Sequence, residues 1–179
     1  MVPNLQHIMF LRIKNIKGKE YAYRVKNKWT EKGARQKVVG YLGRLHRLEL
    51  KNESSFENFV SENSKMSYDD YMRNMDFNTI VMNLITWEIL RHGGIEKKEN
   101  IFDFGDFKAE LGNMSVSSSG REIVLRMNEG YLCKYTLKNI FGIQLGEEQE
   151  PGMDFAHALV NAGLNVPQEV FVKLYERIT

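Results

Sequence analysis

Apolar and cationic side chains alternate with a period of two through the first quarter of the chain, which predicts strands rather than helices. Across Ile8 to Ile16, Met9, Leu11 and Ile13 share one face of an extended strand, and Phe10, Arg12 and Lys14 share the other. Lys17-Gly18-Lys19-Glu20 reads as a tight hairpin connection, because Gly18 supplies the positive φ such turns require. Tyr21, Tyr23 and Val25 then alternate with Ala22, Arg24, Lys26 and Lys28 in a second strand. A longer polar break, Lys28 to Ala34, leads to a third run, Arg35 to Leu42, in which Gly40 marks a bulge or a close approach of backbone. These runs make a three-stranded antiparallel β-meander over about residues 8 to 44. So small a sheet is marginal until something covers its apolar face.

Helical spacing replaces alternation after a linker at Lys51 to Ser55. Ser54 or Ser55 caps a helix carrying Phe56, Phe59 and Val60, and such a cap contributes on the order of 1 kcal/mol. Ser67 with Asp70 has the form of a capping box. From Asn78 to His92 a broad apolar stripe ends at Gly93-Gly94, which places this helix at the centre of the C-terminal core. Met114 to Met127 reads as two short strands joined near Ser118-Ser119-Gly120. Asn128 reads as the cap of a helix from about Glu129 to Phe141, and two last helices are bounded by Gly163 and Pro167. The expected fold is therefore α+β: a meander followed by a mostly helical domain, about residues 54 to 179, that contains one short β-hairpin.

Charge divides the chain at the same place. Residues 1–51 carry thirteen Lys and Arg against three acids, a net of +10, which leaves 12 basic and 20 acidic residues and a net of −8 for residues 52–179. The division predicts two functional parts, 1–51 facing a polyanion and 52–179 serving dimerisation or contact with a protein partner. The competing account is a solvated surface with charge pairing between the halves. The chain has no apolar run near the roughly 20 residues that span a bilayer, and Met1 to Phe10 lacks the form of a signal peptide, so a cytoplasmic protein without membrane contact is expected. The single Cys133 reads as a small core residue.

No catalytic template fits. His7, His46, His92 and His157 are isolated in sequence, no phosphate-binding glycine loop is present, and Ser118-Ser119-Gly120 is not a nucleophile elbow. Asp69-Asp70, Asp103, Asp106 and Glu147-Glu148-Glu150 are candidate Mg²⁺ ligands for a metal-dependent nuclease, although adjacent acids in polar segments are ordinarily surface charges. The basic strands do fit one task. Arg12, Lys14, Lys17, Lys19, Arg24, Lys26, Lys28, Arg35 and Lys37 can neutralise phosphates, and Arg12, Lys14, Arg24, Lys26 and Lys28 are expected to form one cationic surface when the first two strands pair. Trp29, Tyr41 and Phe10 are available for stacking on a single strand, while core or hairpin packing is the commoner use of such aromatics.

Phe10-Leu-Arg-Ile-Lys14, Gly18-Lys19 followed by Tyr21 and Tyr23, and Gly33-Ala-Arg-Gln-Lys-Val-Val39 closing with Tyr41-Leu-Gly43 occur in an order that resembles the N-terminal β-rich segment of insertion-sequence transposases with a DDE catalytic domain. It also resembles short archaeal proteins of unassigned function. The resemblance covers about residues 9 to 44 and implies DNA contact. Residues 45–179 lack the family's catalytic pattern, so transposition is not implied. The expectation is a non-catalytic, cofactor-free nucleic-acid-binding protein, with DNA favoured over RNA. An RNA- or ribosome-associated interaction module is the alternative.

Overall fold

The computed structural model describes residues 9–30, 33–142 and 151–178. The chain begins with three long strands, β1 (Met9–Ile16), β2 (Lys19–Thr30) and β3 (Gly33–Arg47). Three helices follow, α1 (Phe56–Asn63), α2 (Tyr68–Asn74) and α3 (Phe77–Arg91). Six shorter strands come next: β4 (Ile95–Lys98), β5 (Ile101–Asp103), β6 (Lys108–Glu110), β7 (Ser115–Ser118), β8 (Arg121–Met127) and β9 (Gly130–Leu132). Helices α4 (Lys134–Phe141), α5 (Pro151–Ala162) and α6 (Gln168–Tyr175) close the described chain.

All nine strands belong to one sheet in the order β1-β2-β3-β8-β7-β6-β5-β4, with β9 also paired to β8. This corrects the expected architecture of a separate three-stranded meander and a mainly helical domain with one hairpin. Two physical causes lie behind the difference. Strands β4, β5 and β6 are three or four residues long, too short for alternation to show in the sequence. The joint between the halves is a parallel pairing of Arg44–Arg47 in β3 with Ile123–Arg126 in β8, which no local pattern encodes. Parallel strands need a crossover, and α1–α3 with β4–β7 supply it.

The turn at Lys17 and Gly18 has φ of 52° and 75°, and the Asn15 side chain accepts a hydrogen bond from the Gly18 N–H at 3.1 Å. Positive φ at both central residues gives the twist that suits a two-residue hairpin. Two irregularities bend the next pairing. Ala22 faces Gly43 but Tyr23 faces Tyr41, and Arg24 faces Gly40 but Val25 faces Val38, so Leu42 and Val39 are extra residues on β3. Gly40 thus sits beside a bulge, as expected. The close approach of backbone occurs at Gly43, where a Cβ would lie 2.5 Å from the Glu122 carbonyl oxygen and 2.8 Å from the Ile123 Cα.

Asp76 caps α3 by accepting from the Thr79 N–H at 3.0 Å, and Gly93, at φ 86°, follows its end. Ile80, Leu84, Ile85 and Ile89 of α3 are buried against Phe102, Val116 and Leu125 of the sheet and Phe155 and Leu174 of the last helices, making the principal core. A second, small cluster covers the meander: Ala22 and Leu45 pack with Val124 and Cys133, flanked by Ile13, Leu42, Tyr131 and Tyr135. Cys133 is accordingly a buried core residue, and burial pushes its thiol pKa up. Its N–H donates to Thr136 Oγ1 at 3.0 Å at the start of α4. Asn128 does not begin this helix. It adopts φ 49° in the turn between β8 and β9, a conformation that asparagine tolerates better than most residues.

One charged cluster is buried in the body. Glu88 is fully buried on α3; its carboxylate lies 3.4 Å from Arg91 and accepts from Asn128 Nδ2 at 2.8 Å and from the Asn165 N–H at 3.3 Å. Asn128 also donates to the Gly163 carbonyl, and Arg91 Nε donates to the Asn52 carbonyl at 3.3 Å. The cluster therefore ties the end of α3 to the linker, the β8–β9 turn and the segment after α5.

Candidate nucleic-acid interface

The hairpin register distributes the basic residues between two faces. Ile16 opposes Lys19, so every even-numbered residue of β1 lies across from an odd-numbered residue of β2. Residues directly opposite one another project to the same face. Arg12 and Lys14 therefore share a face with Tyr23 and Tyr21, and Lys19 joins them opposite Ile16. Arg24 and Lys26 lie across from Leu11 and Met9 on the reverse face. The single cationic surface expected for Arg12, Lys14, Arg24, Lys26 and Lys28 is corrected to two surfaces. A two-residue loop pairs opposite parities, whereas the alternation within each strand says nothing about its neighbour's phase.

The reverse face carries the denser charge. Lys26 opposes Lys37, and Lys28 opposes Arg35. All four are exposed, and among the described residues none forms an ion pair with an acid. Like charges directly opposite one another destabilise a sheet by roughly 0.2–1 kcal/mol per pair. The described pairing of β1 with β2 runs as far as Lys26, and from Lys26 to Thr30 β2 pairs with β3 down to Gly33, a segment termed the ribbon. Arg24 lies nearer the body: its guanidinium sits 5.3 Å over the Tyr135 ring of α4, and its Nε is shielded from solvent without a hydrogen-bond partner among the described residues. Lys17 is exposed at the tip of the β1–β2 turn.

The other face combines cations with aromatics. Tyr41 lies 5.4 Å from Tyr23 and 6.3 Å from Tyr21, between ring centroids, and Lys14 Nζ is 4.9 Å from the centre of the Tyr23 ring. Tyr41 packs across the hairpin as expected but remains 59% exposed. Partial burial and the neighbouring phenols raise its pKa, which keeps the hydroxyl neutral. Arg12 donates to the Gln36 side chain at 2.5 Å. Phe10 is half-buried, and the Trp29 side chain lies outside the described residues.

From the tyrosines a cavity of about 860 Å³ runs along Lys19, Arg44, His46 and Arg121. A second cavity, of about 790 Å³, shares Arg44 and His46 with it and adds Lys97, Lys108, Asp103 and Asp106. The His46 ring lies 4.4 Å from that of Phe107; its pKa is lowered by burial first, then by the Arg44 charge, with Asp106 opposing. Arg44, His46 and Arg121 were not predicted as site residues. Arg44 and His46 follow the end of the readable alternation, and Arg121 reaches the meander only through the β3–β8 pairing.

The candidate metal ligands are dispersed. Asp69 and Asp70 occupy the first turn of α2, and Asp103 accepts from the Gly105 N–H at 2.6 Å. Among the described residues no group of three ligating side chains is placed to hold a metal ion; Glu147, Glu148 and Glu150 lie outside those residues. His92 is buried, with Nδ1 2.9 Å from the Glu88 carbonyl oxygen, His157 is exposed, and His7 lies outside the described residues. Among the described residues no helix is long and apolar enough to cross a membrane. No family model, curated protein or solved structure matches the chain.

Proposed function

We propose that this chain is a non-catalytic nucleic-acid-binding protein, with duplex DNA the favoured partner, and that the β2–β3 ribbon is its principal phosphate-contacting element. One observation supports the reading above all: Lys26 faces Lys37 and Lys28 faces Arg35 on an exposed ribbon, with no acid paired to any of the four among the described residues. Such a surface repels itself when free and is relieved by a polyanion. The β2–β3 pair also supplies the β-ribbon form that the major groove, about 12 Å across, admits.

Binding by four phosphate-neutralising cations has a defined salt signature. Each neutralised phosphate lowers the slope of log K against log salt by about 0.9, so the set contributes about 3.6. The test is a salt-titrated binding series on duplex DNA with the wild type and a Lys26→Ala, Lys28→Ala, Arg35→Ala, Lys37→Ala variant. The variant is expected to bind more weakly and with a slope shallower by about 3 to 4. An unchanged affinity and slope would remove the ribbon from the interface.

A further inference from the structure

We infer that the face of the meander opposite the ribbon's lysines is a second binding surface, which takes an unpaired stretch of nucleic acid by stacking its bases on Tyr21, Tyr23 and Tyr41. The inference rests on the nucleic-acid reading and adds a substrate class that the phosphate contacts alone do not specify.

Three features of this face point the same way. The tyrosines form one cluster across two strands, with centroids 5.4 and 6.3 Å apart, and Tyr41 remains 59% exposed. Cations border the cluster on both sides: Arg12 and Lys14 on β1, and Lys19, Arg44 and Arg121 along the adjoining cavity. That cavity continues into a second one through Arg44 and His46, so the surface is a groove rather than an isolated patch.

Aromatic rings between two rows of cations match a single strand, whose bases stack while its phosphates are neutralised. Intact duplex offers phosphates and base edges but keeps its base faces inside the stack. An acidic peptide would use the cations and leave the exposed Tyr41 ring and the half-buried Tyr21 and Tyr23 beside it without a matching surface. The two surfaces together then suit a duplex that passes into a single-stranded tail, with the duplex on the ribbon and the tail on the tyrosines.

The test measures binding of the full chain to a twelve-nucleotide pyrimidine DNA strand, the same RNA strand and a blunt duplex of matching length. Tyr41→Ala is expected to weaken binding to the single strands by about tenfold, the scale of one lost base stack, while leaving the blunt duplex within twofold. Tyr41→Phe should bind like the wild type, because it retains the ring. An unchanged far-ultraviolet spectrum and melting temperature for Tyr41→Ala establish that the fold is intact; Lys14→Ala serves as the second variant, with weaker single-strand binding expected. Unchanged single-strand affinity in Tyr41→Ala, or equal losses on single strand and duplex, would overturn this inference alone. A wild-type chain that binds duplex but neither single strand would do the same, and one that binds none of the three overturns the nucleic-acid reading with it.

Discussion

The buried cluster at Glu88 and the exposed ribbon at Lys26 to Lys37 treat charge in opposite ways. Around Glu88 the carboxylate is matched by Arg91, Asn128 and the Asn165 N–H, because an ion removed from water is tolerated only when its partners replace the lost hydration. On the ribbon, cations face cations and water supplies the screening. Elsewhere, the exposed Arg47 and Lys134 and the half-buried Arg126 have acids at hand: Glu20, Glu122 and Glu129 respectively. On the proposed reading, the ribbon, rather than the chain's modest net charge, is therefore where binding would be concentrated.

Removing one partner should break this contrast most sharply in the body. Glu88→Ala leaves the buried Arg91 without its carboxylate partner and should cost on the order of 3–5 kcal/mol of unfolding free energy, read by denaturant titration. A loss under about 1 kcal/mol would show that the cluster is not a matched buried ion. The joint between the two regions comes next. Gly43→Ala places a Cβ against the backbone of Glu122 and Ile123 at φ 133°, and a strained position of this kind costs roughly 1–3 kcal/mol. Hydrogen exchange should quicken first at Arg44–Arg47, and uniform protection there would contradict the close approach.

The ribbon should respond with the opposite sign. Lys26→Glu converts the pairing with Lys37 into an attractive one and should stabilise the fold by about 0.5 kcal/mol while weakening DNA binding. Loss of stability together with unchanged binding would mean that Lys26 serves the fold. The smallest effect belongs to Glu20, whose pKa the Arg47 hydrogen bonds hold below its ordinary 4.5. Its contribution is present above that value and is lost as pH falls through the lower folded value. Glu20→Gln should therefore flatten the acid limb of the stability profile slightly, and coincident profiles for the two proteins would show the pair to be without effect.

Local chemistry made much of the fold readable. Ser55 accepts from the Asn58 N–H and Ser67 from the Asp70 N–H, as their spacing predicts, and Gly18 and Gly120 take positive φ in their turns. Asn128 misled because the same residue type serves helix caps and left-handed turns, and only the tertiary partners Glu88 and Gly163 distinguish the uses. The candidate residues of the meander were visible as a set, but their division between faces required the phase relation that Lys17-Gly18 imposes. The groove was invisible for a different reason: it draws Arg121 from β8, which lies beside β3 through long-range pairing, and Lys108 from β6, two strands further along.

Strand β3 belongs to both regions, running without interruption from the ribbon at Gly33 to the parallel seam at Arg44–Arg47. Mechanically it is a tie rod. Tension applied along the ribbon would load the β3–β8 hydrogen bonds in shear, so that they resist together, instead of peeling them apart one at a time. A nucleic acid tugging on the ribbon would thus pull against the centre of the sheet, not against a hinge.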